Sequence, residues 1–196
     1  MSKKWMSILL SALALPASAA TSIDFDDLPT WEPSTTAPFA EQGVLFSNAD
    51  GYGSAVSTGP YVQGHALLCS PYCVLNIEMA NGSLFALDSL DVVSAAWTAP
   101  VPFSATLTGY FGDGSSQVLN LELETDWDYA AVYDSIQPGW AGLQRVELSN
   151  MGLEYPGLDF QFGVDNVVLT AVPIPAAVWL FGSAMAGLGF FRRRNL

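Results

Sequence analysis

Basic residues are scarce in this chain. Lys and Arg total 6 against 19 Asp and Glu, a formal charge of -13. Nucleic-acid binding rests on Lys and Arg neutralising phosphates, so no nucleic-acid partner is expected. Histidine occurs once, at His65. That excludes multi-His zinc and iron sites, and leaves a Ser-His-Asp triad dependent on a residue with no nucleophile motif near it. Charged residues make up only 13% of the chain and hydrophobic ones 51%. A disordered tail, a coiled coil and a collagen-like fibre are excluded by that balance. No internal repeat, low-complexity linker or amphipathic stretch of 3.6-residue period is present.

The cations that do exist sit at the ends: Lys3, Lys4, Arg192, Arg193 and Arg194, with Arg145 alone between them. From Thr21 to Val172 one cation faces 19 carboxylates, a formal -18. Most of those carboxylates have no ion-pair partner in the chain, so they face water or bind cations; hard oxygen ligands suit calcium.

Both ends read as targeting segments. Residues 1–20 combine Lys3 and Lys4, an apolar run from Trp5 to Leu15 and small residues at Ala17-Ser18-Ala19-Ala20, the pattern of a secretory signal peptide. At the other end, Ala176 to Phe191 carries no charge and is followed by Arg192-Arg193-Arg194. As a helix those residues span roughly 24 Å at about 1.5 Å each, short of a hydrocarbon core of about 30 Å. Adding Ile174 and Pro175, with the arginines snorkelling, makes a transmembrane helix of 176–191 feasible. The basic stop at 192–194 then stays cytoplasmic and the domain lies outside.

The order Val172-Pro173-Ile174-Pro175-Ala176, apolar span, arginine cluster resembles a PEP-CTERM sorting signal, in its Val-Pro-Leu-Pro-Ala variant with Ile174 at the Leu position. The resemblance covers 172–196. It implies a Gram-negative bacterium, an inner-membrane precursor, processing by an exosortase, and association with exopolysaccharide or biofilm.

Between the targeting segments, residues 21–171 read as one all-β domain, a β-sandwich. Short runs such as Val74–Met79, Leu84–Ser94, Phe103–Phe111, Gln117–Glu124, Trp140–Ser149 and Phe160–Thr170 are separated by turn residues. Leu119, Leu121 and Leu123 share one face of their run. Asn81-Gly82 reads as a two-residue hairpin turn, and Gly112-Asp113-Gly114-Ser115 as a second turn. The run Phe162–Thr170 resembles the closing strand of jelly-roll carbohydrate-binding modules, and Ile23–Leu28 the first strand of PEP-CTERM ectodomains. That resemblance implies a calcium held by one acidic residue from each end: Asp165, and Asp24 or Asp26 with Asp26 favoured.

In an exported protein Cys69 and Cys73 are expected to form a disulfide around Ser70-Pro71-Tyr72. Glu122 and Glu124 stand about 7 Å apart on one strand face, within the range a glycoside hydrolase needs, yet any alternating strand does the same. A flat aromatic can stack a sugar ring; Trp127, between Asp126 and Asp128, is the first candidate platform and Trp97 the second. The expectation is an exported, non-catalytic, polysaccharide-associated protein, with a calcium-dependent carbohydrate module as the alternative and a hydrolase third.

Overall fold

A computed structural model describes residues 19–27, 38–48, 54–57, 65–69, 74–96, 103–123, 132–150 and 160–172. Residues Ala19–Val172 form a compact unit. All its described elements are strands: β1 (Ala20–Ile23), β2 (Phe39–Glu41), β3 (Val44–Asn48), β4 (Ser54–Ser57), β5 (Ala66–Cys69), β6 (Val74–Met79), β7 (Phe85–Ala96), β8 (Phe103–Phe111), β9 (Ser116–Leu123), β10 (Val132–Ile136), β11 (Trp140–Asn150) and β12 (Phe160–Ala171). Among the described residues no helix is long and apolar enough to cross a membrane; the segment expected to do so, 176–191, lies outside them.

The strands make a jelly-roll-like sandwich. Sheet I runs β2-β3-β6-β11-β8-β9. In sheet II, β12 lies between β7 on one side and β1 and β5 on the other, with β4 beyond β5 and β10 beyond β7. One strand belongs to both. Trp140–Leu143 of β11 pairs with β7, and after a register shift at Gly142 (φ 80°) the rest of β11 enters sheet I between β6 and β8. The left-handed conformation at Gly142, which glycine adopts without a Cβ penalty, turns the chain at this corner.

The alternation of apolar residues explains the core. Val44 and Phe46, Leu75 and Ile77, Ala105 and Leu107, Leu121 and Leu123, and Val146 and Leu148 point inward from sheet I. Ile23, Leu87, Val92, Val164, Val167 and Leu169 are buried from sheet II. Phe25, Phe39 and Phe46 form a ring cluster at one end of the sandwich, with Phe25 and Phe46 edge to face at 5.3 Å.

Gly112–Ser115 does join a hairpin, β8 to β9. Asp113 holds that turn by accepting the Ser115 hydroxyl at 2.6 Å and the Ser115 amide at 2.9 Å, which lowers the pKa of its carboxyl. Asn81-Gly82 does not join one. Its turn is tight, with the Gly82 amide donating to the Met79 carbonyl and Ser83 N to Asn81 Oδ1. Yet β6 pairs with β3 and β11, while β7 pairs with β10, β11 and β12. The chain uses this turn to cross from sheet I to sheet II, because both edges of β6 are already filled by strands distant in sequence.

Candidate functional site

Two regions carry functional groups. The first is at the strand ends where the domain begins and finishes. Antiparallel pairing of β1 with β12 sets Ile23 opposite Val167, so the chain beyond Ile23 runs toward Asp165. Phe25 then adopts φ 57° and is buried, while Asp24 and Asp26 beside it stay exposed. Burial of Phe25 between two exposed carboxylates continues the in-out alternation of β1.

In β12 the register shifts after Asp165, and Asn166 takes φ 47°. Asn166 donates its backbone N–H to Asp165 Oδ1 at 2.7 Å and its side-chain amide to Asp91 Oδ2 at 2.8 Å. Asp165 itself is only 5% exposed and lies directly opposite Asp91. Burial pushes its carboxyl up to about 6, and the negative charges of Asp26, Asp91 and Asp24 add to the rise. His65, at the entry to β5, donates its backbone N–H to Asp26 Oδ1 at 3.1 Å and places Nδ1 3.3 Å from the same oxygen.

Of the expected pair, Asp26 lies close enough for its charge to add to the rise at Asp165. The residues supply negative charge for a cation. Among the described residues, however, no three His, Cys, Asp or Glu side chains converge as a ligand set.

The second region was not anticipated from sequence. It is the outer face of sheet I, where cross-strand register builds polar rows. Leu45, Glu78, Arg145, Tyr110 and Ser116 form one row; Ser47, Asn76, Glu147, Thr108 and Val118 form the next. Val74, Ser149, Thr106 and Asn120 form a third. Arg145 stacks its guanidinium 4.2 Å from the Tyr110 ring centroid and lies 3.7 Å from Glu147. The Tyr110 hydroxyl donates to Glu147 Oε2 at 3.3 Å. Asn76 Oδ1, Thr106 Oγ1 and Arg145 Nε are buried without a hydrogen-bond partner. The sequence signal was Arg145 itself, the lone cation of the acidic stretch.

The remaining expected site residues divide as follows. Trp127, Trp97 and Cys73 lie outside the described residues, as do Pro173, Ile174, Pro175, Ala176, Arg192, Arg193 and Arg194. Val172 is described: its N–H donates to the Leu84 carbonyl at 2.9 Å, the last backbone bond of the sandwich. Cys69 is buried at the end of β5, is not a free thiol, and has Asn48 Nδ2 3.9 Å from its sulfur. Glu122 is exposed and accepts the Ser104 hydroxyl at 3.2 Å; Glu124 lies outside the described residues.

No family model matches the chain, and no curated protein does. Solved structures resemble its fold. The cleaved adhesin domain K1 of Lys-gingipain from Porphyromonas gingivalis is 12% identical, covering 79% of this chain and 99% of its own, at a TM-score of 0.46. A family 29 carbohydrate-binding module from Piromyces equi is 8% identical, covering 80% and 92%, at 0.43. The xylan-binding CBM22-1 domain from Paenibacillus barcinonensis is 13% identical, covering 81% and 97%, at 0.37.

Proposed function

We propose that this protein is an exported, non-catalytic surface or matrix protein that associates with extracellular polysaccharide through the outer face of sheet I. The observation that carries the reading is the polar array around Tyr110, Arg145 and Glu147. A glycan offers hydroxyl donors and acceptors along its edge and apolar ring faces. Rows of Asn, Thr, Ser and Glu with one tyrosine match that chemistry. Arg145 is offset by Glu78 and Glu147 on neighbouring positions, so the array favours an uncharged chain over an anionic one.

The route to the surface is part of the proposal. A signal peptide of 1–20, an exosortase acting near 172–176, and an inner-membrane precursor anchored by 176–191 account for the tail motif. A disulfide between Cys69 and Cys73 suits that oxidising destination.

Affinity electrophoresis through soluble neutral polysaccharides tests the reading. The full chain is expected to be retarded, and Tyr110→Ala to weaken retention about tenfold, the loss of roughly 1.4 kcal/mol. Unretarded migration in every polysaccharide overturns it.

A second reading is favoured by the charge around Asp165: calcium held by Asp165 and Asp26 stiffens the strand ends. Calcium at 100-fold above its dissociation constant adds about 2.7 kcal/mol, so chelation is expected to lower the melting temperature by about 5–10 °C. Identical melting with calcium and with chelator removes calcium from the account.

A further inference from the structure

A further feature lies at the open edge of the sandwich, adjoining the outer face of sheet I at Val118. Gln117, Val118 and Leu119 of edge strand β9, Gln137 and Pro138 of the β10–β11 turn, and Trp140 line a groove of about 430 Å³. Trp140 is held there by the backbone. Gly139 (φ 62°) and Gly142 (φ 80°) bracket it, and the ring lies over Gly109, where a Cβ would come within 2.7 Å of it. Phe111 packs edge on at 6.4 Å. The indole is thus fixed against Gly109, half-buried, and lines the groove. Val118, at 59%, is the exposed large hydrophobic residue of the described surface.

Two properties identify the occupant. Among the described residues no charged side chain lines the groove, although residues 21–172 carry a formal -18. An anionic polymer or a second copy of this acidic chain would be repelled by the surrounding surface. The walls pair an apolar platform (Trp140, Pro138, Leu119) with two primary amides, Gln117 and Gln137, each able to donate and accept. An apolar face rimmed by neutral donor–acceptor groups is complementary to a sugar ring, whose own face is apolar and whose edge is hydroxylated. The volume falls in the range of small-ligand sites, about 300–1,000 Å³.

We propose that this groove is a second glycan site, taking one or two rings of an uncharged polysaccharide. It rests on the polysaccharide reading of the outer face and extends it: two sites on one domain let a single molecule bridge two chains. A protein with both sites cross-links a neutral polysaccharide; one with the outer face alone merely coats it.

The test uses the full chain with detergent in every sample, against hydroxyethylcellulose, glucomannan, arabinoxylan and dextran, with alginate as the anionic comparison. Retardation in the gel reads binding, and turbidity or viscosity of the mixture reads cross-linking. Trp140→Ala is one groove variant. The double variant Gln117→Ala, Gln137→Ala, at two exposed positions, guards against loss of folding in the first. The expected result is that wild type is retarded by and cross-links at least one neutral polymer and ignores alginate. Both groove variants stay retarded, about three- to tenfold more weakly, and no longer cross-link. Wild-type binding with cross-linking unchanged in the double variant overturns the groove and leaves the outer face standing. Wild type retarded by none of the four neutral polymers overturns the polysaccharide reading and the groove with it.

Discussion

Gly163→Ala is expected to cost about 3 kcal/mol or more, or to prevent folding outright. Gly163 sits in the middle of β12, opposite Leu68 of β5 on one side and Val93 of β7 on the other. A Cβ there would overlap the Leu67 carbonyl oxygen and stand 2.9 Å from both Leu67 C and Leu68 Cα. The obstructing atoms are backbone atoms of a paired strand, which cannot rotate away as a side-chain tip can. Overpacking a core ordinarily costs about 1–3 kcal/mol; an overlap that separates two hydrogen-bonded strands belongs at or above the top of that range. Equilibrium unfolding in urea measures it. A loss below about 1 kcal/mol would mean that β5 does not lie against β12 as described. By contrast, Gly43 and Gly114 meet nothing within 4 Å of an added Cβ, and their positive φ makes substitution there a matter of backbone strain alone.

The second large effect concerns Asp165. Its carboxyl is raised from 3.8 to about 6 by burial first and by Asp26, Asp91 and Asp24 after it. The folded chain therefore holds a proton between about pH 4 and pH 6 that the unfolded chain releases. Stability from this group is fully present below about pH 4 and falls as pH rises through 6. Above 6 the buried carboxylate is charged, and that charge opposes folding. Asp165→Asn keeps an oxygen for the Asn166 amide while removing the charge. In chelator at pH 7 it is expected to stabilise the protein by about 1–2 kcal/mol. That is less than the ~3 kcal/mol that two pKa units represent, because solvent screens the neighbouring exposed carboxylates. The same substitution is expected to flatten stability between pH 4 and 7. Melting curves across that range decide the matter: an Asn variant that is less stable at pH 7 without calcium would show the negative charge to be needed rather than tolerated.

The two effects differ in kind, and so does their visibility in the amino-acid order. A carboxylate at Asp165 could be nominated from residue type and from its place in the closing run. Its burial, its raised pKa and its pairing with Asp91 could not, since each depends on β7 lying alongside β12. Gly163 gave no local warning. Only the approach of β5, some ninety positions earlier, makes its missing Cβ indispensable.

Strand content followed from period-two alternation, because which face a residue takes depends on its immediate neighbours. The runs beginning near Val74, Leu84, Phe103, Gln117, Trp140 and Phe160 all correspond to strands. The Leu119–Leu121–Leu123 face is the side turned toward the interior. The Gly112–Ser115 turn was legible for the same reason: the bonds joining Phe111 to Gly114 and Ser115, and Asp113 to Ser115, close within five residues.

Pairing was not local, and there the reading of Asn81-Gly82 as a hairpin failed. That turn has the right residues, but β6 already has β3 and β11 on its two edges, a choice made by long-range competition for backbone hydrogen bonds. The polar rows of sheet I and the Trp140 groove were hidden likewise. Tyr110, Arg145 and Glu78 come from three strands, and Trp140 meets Gln117 only because β11 begins in one sheet and ends in the other. The amino-acid order by itself determined the acidic, cation-poor character of the domain, its strands and its local turns, all of which rest on composition and nearest neighbours. The tertiary structure alone decided which strands share edges, and hence which carboxylates, rings and amides stand together, because strand register is settled between segments far apart in the chain.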